Sequence, residues 1–215
     1  MAGLAQIESM AADNALEVMG VVPDGSAALP EGLRSLVLLG PRGAGFWEEF
    51  ARTAEYLDAD PDPLDRWSKR VIGEMAETLG AQALFPFGAT PPNPFVTWAL
   101  ASGRAFVSPV HLLVHDKAGL WVSYRGALGL STPLAPLAPA KNPCTDCPGP
   151  CLSACPVHAL TGAGYDLEAC HGFLDQVEGV SCLAQGCAVR SACPISRAHG
   201  RDAAQSAHHM RYFHP

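Results

Sequence analysis

The sequence has no cysteine in its first 143 residues, few charged side chains and no long hydrophobic run. Asp, Glu, Lys and Arg make up 16% of the 215 residues, against about 25% in an ordinary soluble protein. The longest unbroken aliphatic run is 36–39, whereas a transmembrane helix needs about 20 apolar residues. We therefore expect no membrane partner. The net charge of −7 also argues against a nucleic-acid partner, because binding a phosphate backbone requires clustered Lys and Arg.

From the first residues of the sequence we expect no export signal. The first residues, Met-Ala-Gly-Leu-Ala-Gln-Ile-Glu, contain no basic stretch ahead of an apolar one. We therefore expect a cytoplasmic protein, in a compartment where structural disulfides are rare and clustered cysteines usually hold metal. Hydrophobic residues account for 48% of the chain, which excludes a disordered chain and allows one large domain or one domain plus a small module.

All eight cysteines lie between positions 144 and 193, in two groups. The first group, 144–156, reads C-x2-C-x3-C-x3-C-P, which is one residue longer than the bacterial ferredoxin run C-x2-C-x2-C-x3-C-P. The extra residue lies within 148–150. Three thiolates at this spacing can surround three corners of an iron–sulfur cubane, and the fourth, followed by proline, ligates a second cluster.

The second group has the looser spacings x11, x4 and x5, but it also ends in Cys-Pro. Duplication of the ferredoxin type predicts crossed ligation of two [4Fe–4S] clusters. Cluster I takes Cys144, Cys147, Cys151 and Cys193, and cluster II takes Cys155, Cys170, Cys182 and Cys187. Two alternatives remain: one cluster with free or structural cysteines, and a zinc site, although zinc prefers two separated two-cysteine arms.

The rest of the chain predicts a mixture of helices and strands. Apolar spacing and turn residues indicate helices over 2–19, 45–58, 63–79 and 95–102, and strands over 35–39 and 81–85. A hairpin over 105–115 and 119–124 is predicted to turn at 116–119, and the proline-rich segment 130–143 reads as a linker between modules. This order indicates an α+β fold.

The order of modules and several local strings resemble the epoxyqueuosine reductase family, which is related to reductive dehalogenases and cobalamin-processing proteins. The resemblance covers about residues 30–195 and includes the charged string 65–70, the segments 101–113 and 119–121, and Phe85-Pro86-Phe87. It implies a nitroreductase-like α/β sandwich over 1–135 and a bacterial-ferredoxin-like iron–sulfur module over 136–200, followed here by a polar, His-rich tail over 201–215. Two departures are visible: the loop 88–95 has no Asp or Glu where the family carries an acidic proton donor, and the family's C-terminal helical repeat is missing.

The resemblance further implies that the N-terminal domain binds a corrinoid (cobalamin), with a flavin (FMN) as the alternative. Residues predicted to line that pocket are Phe85, Phe87, Trp98, Arg104 and Ser108. Two functional hypotheses follow. In the first, two [4Fe–4S] clusters receive electrons from a low-potential donor protein and pass them singly to the corrinoid, as in an iron–sulfur oxidoreductase. In the second, the chain is a ferredoxin-like electron carrier that docks a partner enzyme without a corrinoid.

Overall fold

The computed structural model describes residues 3–215, which contain helices and strands in mixed order, so the α+β prediction is confirmed. In chain order the α-helices are α1 (Leu4–Asp13), α2 (Phe46–Phe50), α3 (Ala54–Leu57), α4 (Pro63–Leu79), α5 (Phe95–Ala101), α6 (Leu167–Leu174), α7 (Val180–Gln185), α8 (Ala188–Ala192), α9 (Pro194–His199) and α10 (Ala203–Phe213). The strands are β1 (Leu16–Val22), β2 (Ser35–Pro41), β3 (Gln82–Leu84), β4 (Ala105–Val107), β5 (Leu113–His115), β6 (Gly126–Leu130), β7 (Leu160–Thr161) and β8 (Gly164–Tyr165). Two 3-10 helices span Pro150–Ser153 and Val177–Gly179.

The chain divides into two units. Unit 1 comprises the residues up to Arg104 together with Ser123–Ala140, and unit 2 comprises Ala105–Val122 and Lys141–Pro215. The sequence predicts a boundary at 135/136. The division differs because the segment 105–122 packs with the cysteine-bearing residues of unit 2.

Unit 1 is built on a four-stranded antiparallel sheet in the order β1-β2-β6-β3. Every residue of β2 is buried, and Val37 pairs with Val21 on one side and Leu128 on the other. A continuously apolar central strand of this kind is expected where both faces of the strand are covered.

Helix α4 covers the core of unit 1 and agrees with the sequence prediction over 63–79. The backbone N–H groups in the first turn of a helix have no intrahelical acceptor, so Pro63, which has no N–H, is tolerated there. Gly80 ends the helix in a left-handed conformation with φ of +61°. Its apolar stripe places Trp67, Val71 and Met75 in the core. Burial of each of these side chains stabilises the folded state by roughly 1.5–3 kcal/mol.

The helix predicted over 2–19 is wrong in its second half, and Ala2 lies outside the described residues. Helix α1 ends at Asp13, Ala15 adopts φ of +53°, and the chain continues as β1. Ala15 and Val18 fit the helical spacing of the preceding apolar residues, but Val18 lies in a strand that pairs with β2. Periodicity alone cannot separate a buried strand from a buried helix.

The hairpin over 105–124 also forms differently. Strand β4 pairs with β5, so the main turn lies at 108–112, and only one bridge, between His115 and Gly119, forms at the predicted turn. Beyond Leu130 the segment predicted as a linker has no helix or strand until Pro150, and Leu134 and Leu137 pack against the core of unit 1. Within residues 3–215 no helix is both long and apolar enough to cross a bilayer.

Candidate metal centre

Four cysteines of unit 2 line one cavity of about 340 Å³. They are Cys144, Cys147, Cys151 and Cys193, and we call them quartet I. The first three come from a single loop, whereas the fourth is 42 residues further along the chain than Cys151. The structure thus brings the predicted ligands of cluster I together.

The loop of quartet I depends on a glycine. Gly149 has φ of +69°, in the left-handed region, where a β-carbon costs roughly 1–2 kcal/mol. The 3-10 helix that follows it carries Cys151. On the other side of the loop, the N–H of Cys144 donates to Oδ1 of Asn142 at 3.0 Å. The extra residue of the motif is therefore accommodated by a turn that glycine favours.

Cys193 is held beside this loop by the hydrophobic core of unit 2. It lies at the junction of α8 and α9 and is 8% exposed. It shares a buried cluster with Val110, Leu120, Cys151 and Val189. The segment 105–122 therefore forms part of the support of quartet I.

The other four cysteines form a second set, quartet II. They are Cys155, Cys170 on α6, Cys182 on α7 and Cys187 at the start of α8. Cys182, Phe173 and Leu174 form a small buried cluster against which Cys170 packs. The structure thus brings the predicted ligands of cluster II together as well.

Electrostatic interactions among the thiols follow the same division. Burial raises the pKa of Cys144, and Cys147, Cys151 and Cys193 raise it further. Burial likewise raises the pKa of Cys170, where the neighbouring thiols that raise it are Cys187, Cys155 and Cys182. For Cys144, Cys151, Cys170 and Cys182, the thiols that raise the pKa all belong to the same quartet as the thiol concerned, and such influence falls with distance.

The donor set favours a cluster over a single ion. All eight cysteines are free thiols. Sulfurs that share one zinc at about 2.3 Å lie within about 4 Å of one another, and residues 3–215 contain no group of three or more His, Cys, Asp or Glu that could hold one ion. In a cubane each thiolate binds a separate iron, so four sulfurs spread around a cavity fit that geometry.

Several polar groups contact quartet II, including the Ser181 side chain and the Ala188 N–H, whose hydrogen bonds lower the pKa of Cys182. The phenol of Tyr165, on β8, donates to Sγ of Cys170 at 3.4 Å, and burial is the main cause that raises the pKa of this phenol. The N–H of Ala159 donates to Sγ of Cys155 at 3.2 Å. The sequence pattern did not identify Tyr165, because its role depends on the fold of β7 and β8 rather than on spacing.

Two partly buried arginines lie in the same unit. Burial lowers the pKa of Arg190, whereas Cys187 and Tyr165 raise it by a smaller amount. Nη1 of Arg190 donates a hydrogen bond of 2.6 Å to the carbonyl of Leu120. Burial lowers the pKa of Arg201 to about 10, and this guanidinium lies over the ring of Trp121 at 4.9 Å. Within 3–215 neither arginine pairs with an Asp or Glu side chain.

The five residues predicted to line a corrinoid pocket fall in different units. Trp98 is 1% exposed and donates its indole N–H to the carbonyl of Ala28 at 2.9 Å, as a core residue does. Phe85 and Phe87 stack with ring centroids 5.4 Å apart. These three belong to unit 1 with Arg104, whereas Ser108 belongs to unit 2. A corrinoid pocket formed by them stays a prediction.

Ser108 is found instead among the residues lining the cavity of quartet I. It is 4% exposed, and its Oγ is buried without a hydrogen-bond partner in the described chain. A buried hydroxyl left without a partner is uncommon. This orphaned group lies beside a site that could hold an anionic cluster.

Comparison with known proteins gives one structural similarity and no family assignment. The chain is similar to a crystal structure of selenomethionine-labelled epoxyqueuosine reductase, with a TM-score of 0.44 and 16% sequence identity. The match covers 82% of this chain and 52% of that one, so the chain spans about half the length of the protein it matches. No protein-family model and no curated protein matches. Membership of the family therefore stays a prediction from the sequence.

Proposed function

We propose that this chain is an iron–sulfur redox protein that binds two [4Fe–4S] clusters, one at each cysteine quartet of unit 2. The observation that carries the proposal is the division of eight free thiols into two sets of four, with Cys155 and Cys193 each exchanged between the sequence groups. Such an exchange is characteristic of two-cluster ferredoxin modules.

The residues of unit 2 have defined tasks in this proposal. The eight thiolates hold the irons, and each cluster when bound supplies a one-electron redox couple. Burial and neighbouring thiols raise the pKa values of Cys144, Cys151, Cys170 and Cys182, and ligation of iron by these groups releases their protons. The apolar core around Cys151 and Cys193 restricts water, which influences the potential.

Paired substitutions test the assignment of ligands after anaerobic purification. Iron is expected at about eight per chain in the unaltered protein. The double variant Cys155→Ala/Cys170→Ala removes two ligands of quartet II and should retain about four irons. The double variant Cys151→Ala/Cys155→Ala removes one ligand from each quartet and should retain almost none.

The opposite result for the two double variants would show ligation within each sequence group. In that case Cys151→Ala/Cys155→Ala would retain about four irons and Cys155→Ala/Cys170→Ala would lose both clusters. Iron-free wild-type protein with zinc or disulfides would contradict the proposal as a whole.

The proposed electron acceptor is a corrinoid held by N-terminal residues, on the basis of the resemblance over residues 30–195. The alternative acceptor is a partner enzyme, with this chain acting as a carrier. Titration of the holoprotein with hydroxocobalamin and with FMN separates these cases. Stoichiometric binding with a change in the visible spectrum supports the corrinoid or the flavin, and an unchanged cluster spectrum supports the carrier.

A further inference from the structure

The two quartets differ in the groups that contact their sulfurs. At quartet II the phenol of Tyr165 donates to Sγ of Cys170 at 3.4 Å. The ring of Tyr165 lies parallel to that of Phe213, with centroids 6.4 Å apart. A tyrosine hydroxyl keeps its proton at neutral pH and is a stronger donor than a thiol.

A cation also lies near quartet II. Arg190 is three residues after Cys187 on α8, and its guanidinium is anchored to the carbonyl of Leu120 at 2.6 Å. Within 3–215 no Asp or Glu pairs with it, and Cys187 is the cysteine of quartet II that acts on its pKa. A partly buried cation without a carboxylate requires another source of negative charge.

Quartet I has no side-chain hydrogen bond of this kind in the structure, and the Ser108 hydroxyl in its cavity is left without a partner. Among the described residues no side-chain hydroxyl, ammonium or guanidinium donates to its sulfurs, and the backbone N–H groups of Cys151 and Leu152 lower the pKa of Cys151. The charged side chains that line its cavity are Lys141 and Asp146, which form an exposed ion pair at 2.5 Å and cancel each other.

We propose that Tyr165 and Arg190 are positioning residues that give the cluster at quartet II a higher reduction potential than the cluster at quartet I. This inference rests on the proposed function. Reduction adds one electron and no proton to a cluster, so it makes the site one unit more negative. A donated hydrogen bond and a nearby cation stabilise that added charge. When a low-potential one-electron donor, such as a titanium(III) complex, supplies one electron, the cluster at quartet II is therefore the one that is reduced.

Redox titration of the anaerobically purified holoprotein, followed by electron paramagnetic resonance, tests the proposal. We expect two midpoint potentials, with the higher one retained in Cys144→Ala, which lacks the cluster of quartet I. In Tyr165→Phe this higher potential shifts to a more negative value and the lower one does not change. Arg190→Gln shifts the same couple, and Arg190→Lys, which keeps the charge, restores most of the value.

Matched controls change the same residue types on the exposed face of α10. Tyr212→Phe and Arg211→Gln should leave both potentials unchanged. The proposal is overturned if Tyr165→Phe shifts neither potential, shifts both equally, or shifts the couple that Cys144→Ala removes. These three results refer to Tyr165→Phe protein that still holds about eight irons per chain, so they would leave the proposed function intact. Iron-free protein would instead refute the proposed function. If Arg190→Gln does not fold, Tyr165→Phe alone decides.

Discussion

The backbone N–H of Leu120 donates a hydrogen bond of 2.8 Å to Oγ of Ser196, which lies 76 residues further along the chain. The approach is close enough that a β-carbon at Gly119 would lie 2.4 Å from the backbone nitrogen of Ser196. Together with the bond from Arg190 to the carbonyl of Leu120, this contact fixes the segment 105–122 to the helices that carry Cys187 and Cys193.

Removal of the Ser196 hydroxyl should destabilise unit 2. Ser196 is 1% exposed, so Ser196→Ala leaves the buried N–H of Leu120 without its acceptor, at a cost of about 1–3 kcal/mol. Urea unfolding followed by tryptophan fluorescence measures the change. Ser153→Ala, at an exposed serine of the same unit, should change the free energy of unfolding by less than about 0.5 kcal/mol. Equal effects of the two variants would refute the importance of the contact.

This long-range contact explains why the two units of the structure do not follow the domain bounds predicted from the sequence. The proline-rich segment 130–143 suggested a linker, but nothing local in 105–122 indicates that it packs against α9. Such a partner is selected by tertiary packing rather than by propensity. By contrast, the grouping of cysteines could be anticipated, because the spacing of thiolates along a loop is itself the geometry of the candidate site.

Strand β6 shows a different limit of sequence reasoning. Its sequence, Gly-Ala-Leu-Gly-Leu, has low strand propensity, yet it is fully buried between β2 and β3. A β-carbon at Gly126 would lie 2.7 Å from Cδ1 of Ile72, and one at Gly129 would lie 2.5 Å from Cδ1 of Leu33. Close packing therefore requires glycine where propensity disfavours it. Helix α4 was predicted well because its apolar stripe, its proline and its terminal glycine all indicate the same element.

The loop of quartet I should be sensitive to loss of its glycine. In Gly149→Ala, a residue with a β-carbon must adopt φ of +69°, which costs about 1–2 kcal/mol. The new β-carbon would also lie 3.1 Å from Cδ1 of Leu152. Displacement of Cys147 and Cys151 should lower the iron content below that of the unaltered protein. In Gly73→Ala, where a β-carbon within α4 meets nothing within 4 Å, iron should stay constant and stability should rise by about 0.5–1 kcal/mol. Full iron content in Gly149→Ala would show that the turn is dispensable.

The charged string 65–70 should contribute to stability through Arg125. This arginine is 7% exposed, donates to Oγ of Ser68 at 3.0 Å and forms an ion pair with Asp65. Asp65→Asn leaves the guanidinium with no charged partner and should cost about 2 kcal/mol, less than for a fully buried pair because Asp65 is 36% exposed.

Glu74 on the same helix provides the control for this measurement. Its carboxylate is 63% exposed and lies 3.8 Å from Arg70, so Glu74→Gln should change the free energy of unfolding by less than about 0.5 kcal/mol. If Asp65→Asn is as mild as Glu74→Gln, the ion pair with Arg125 contributes nothing beyond a surface contact.

Acid should weaken unit 1 through Glu55. The hydrogen bond from Arg70, at 2.5 Å, is the main cause that lowers the pKa of Glu55 below its ordinary value of 4.5. A lowered folded-state pKa stabilises the protein above the unfolded value, and the contribution is lost as the pH falls through the folded value. Glu55→Gln should therefore be less stable than wild type at about pH 6, and the difference should shrink as the pH falls below 4.5. A constant difference over this range would mean that ionisation of Glu55 plays no part.

The content of iron and acid-labile sulfide in anaerobically purified protein tests the central claim most directly. Two clusters predict about eight irons and eight sulfides per chain, with broad absorbance near 400 nm. About four irons would support a single cluster, and colourless protein with no iron, whose thiols are bound to zinc or joined in disulfides, would contradict the account.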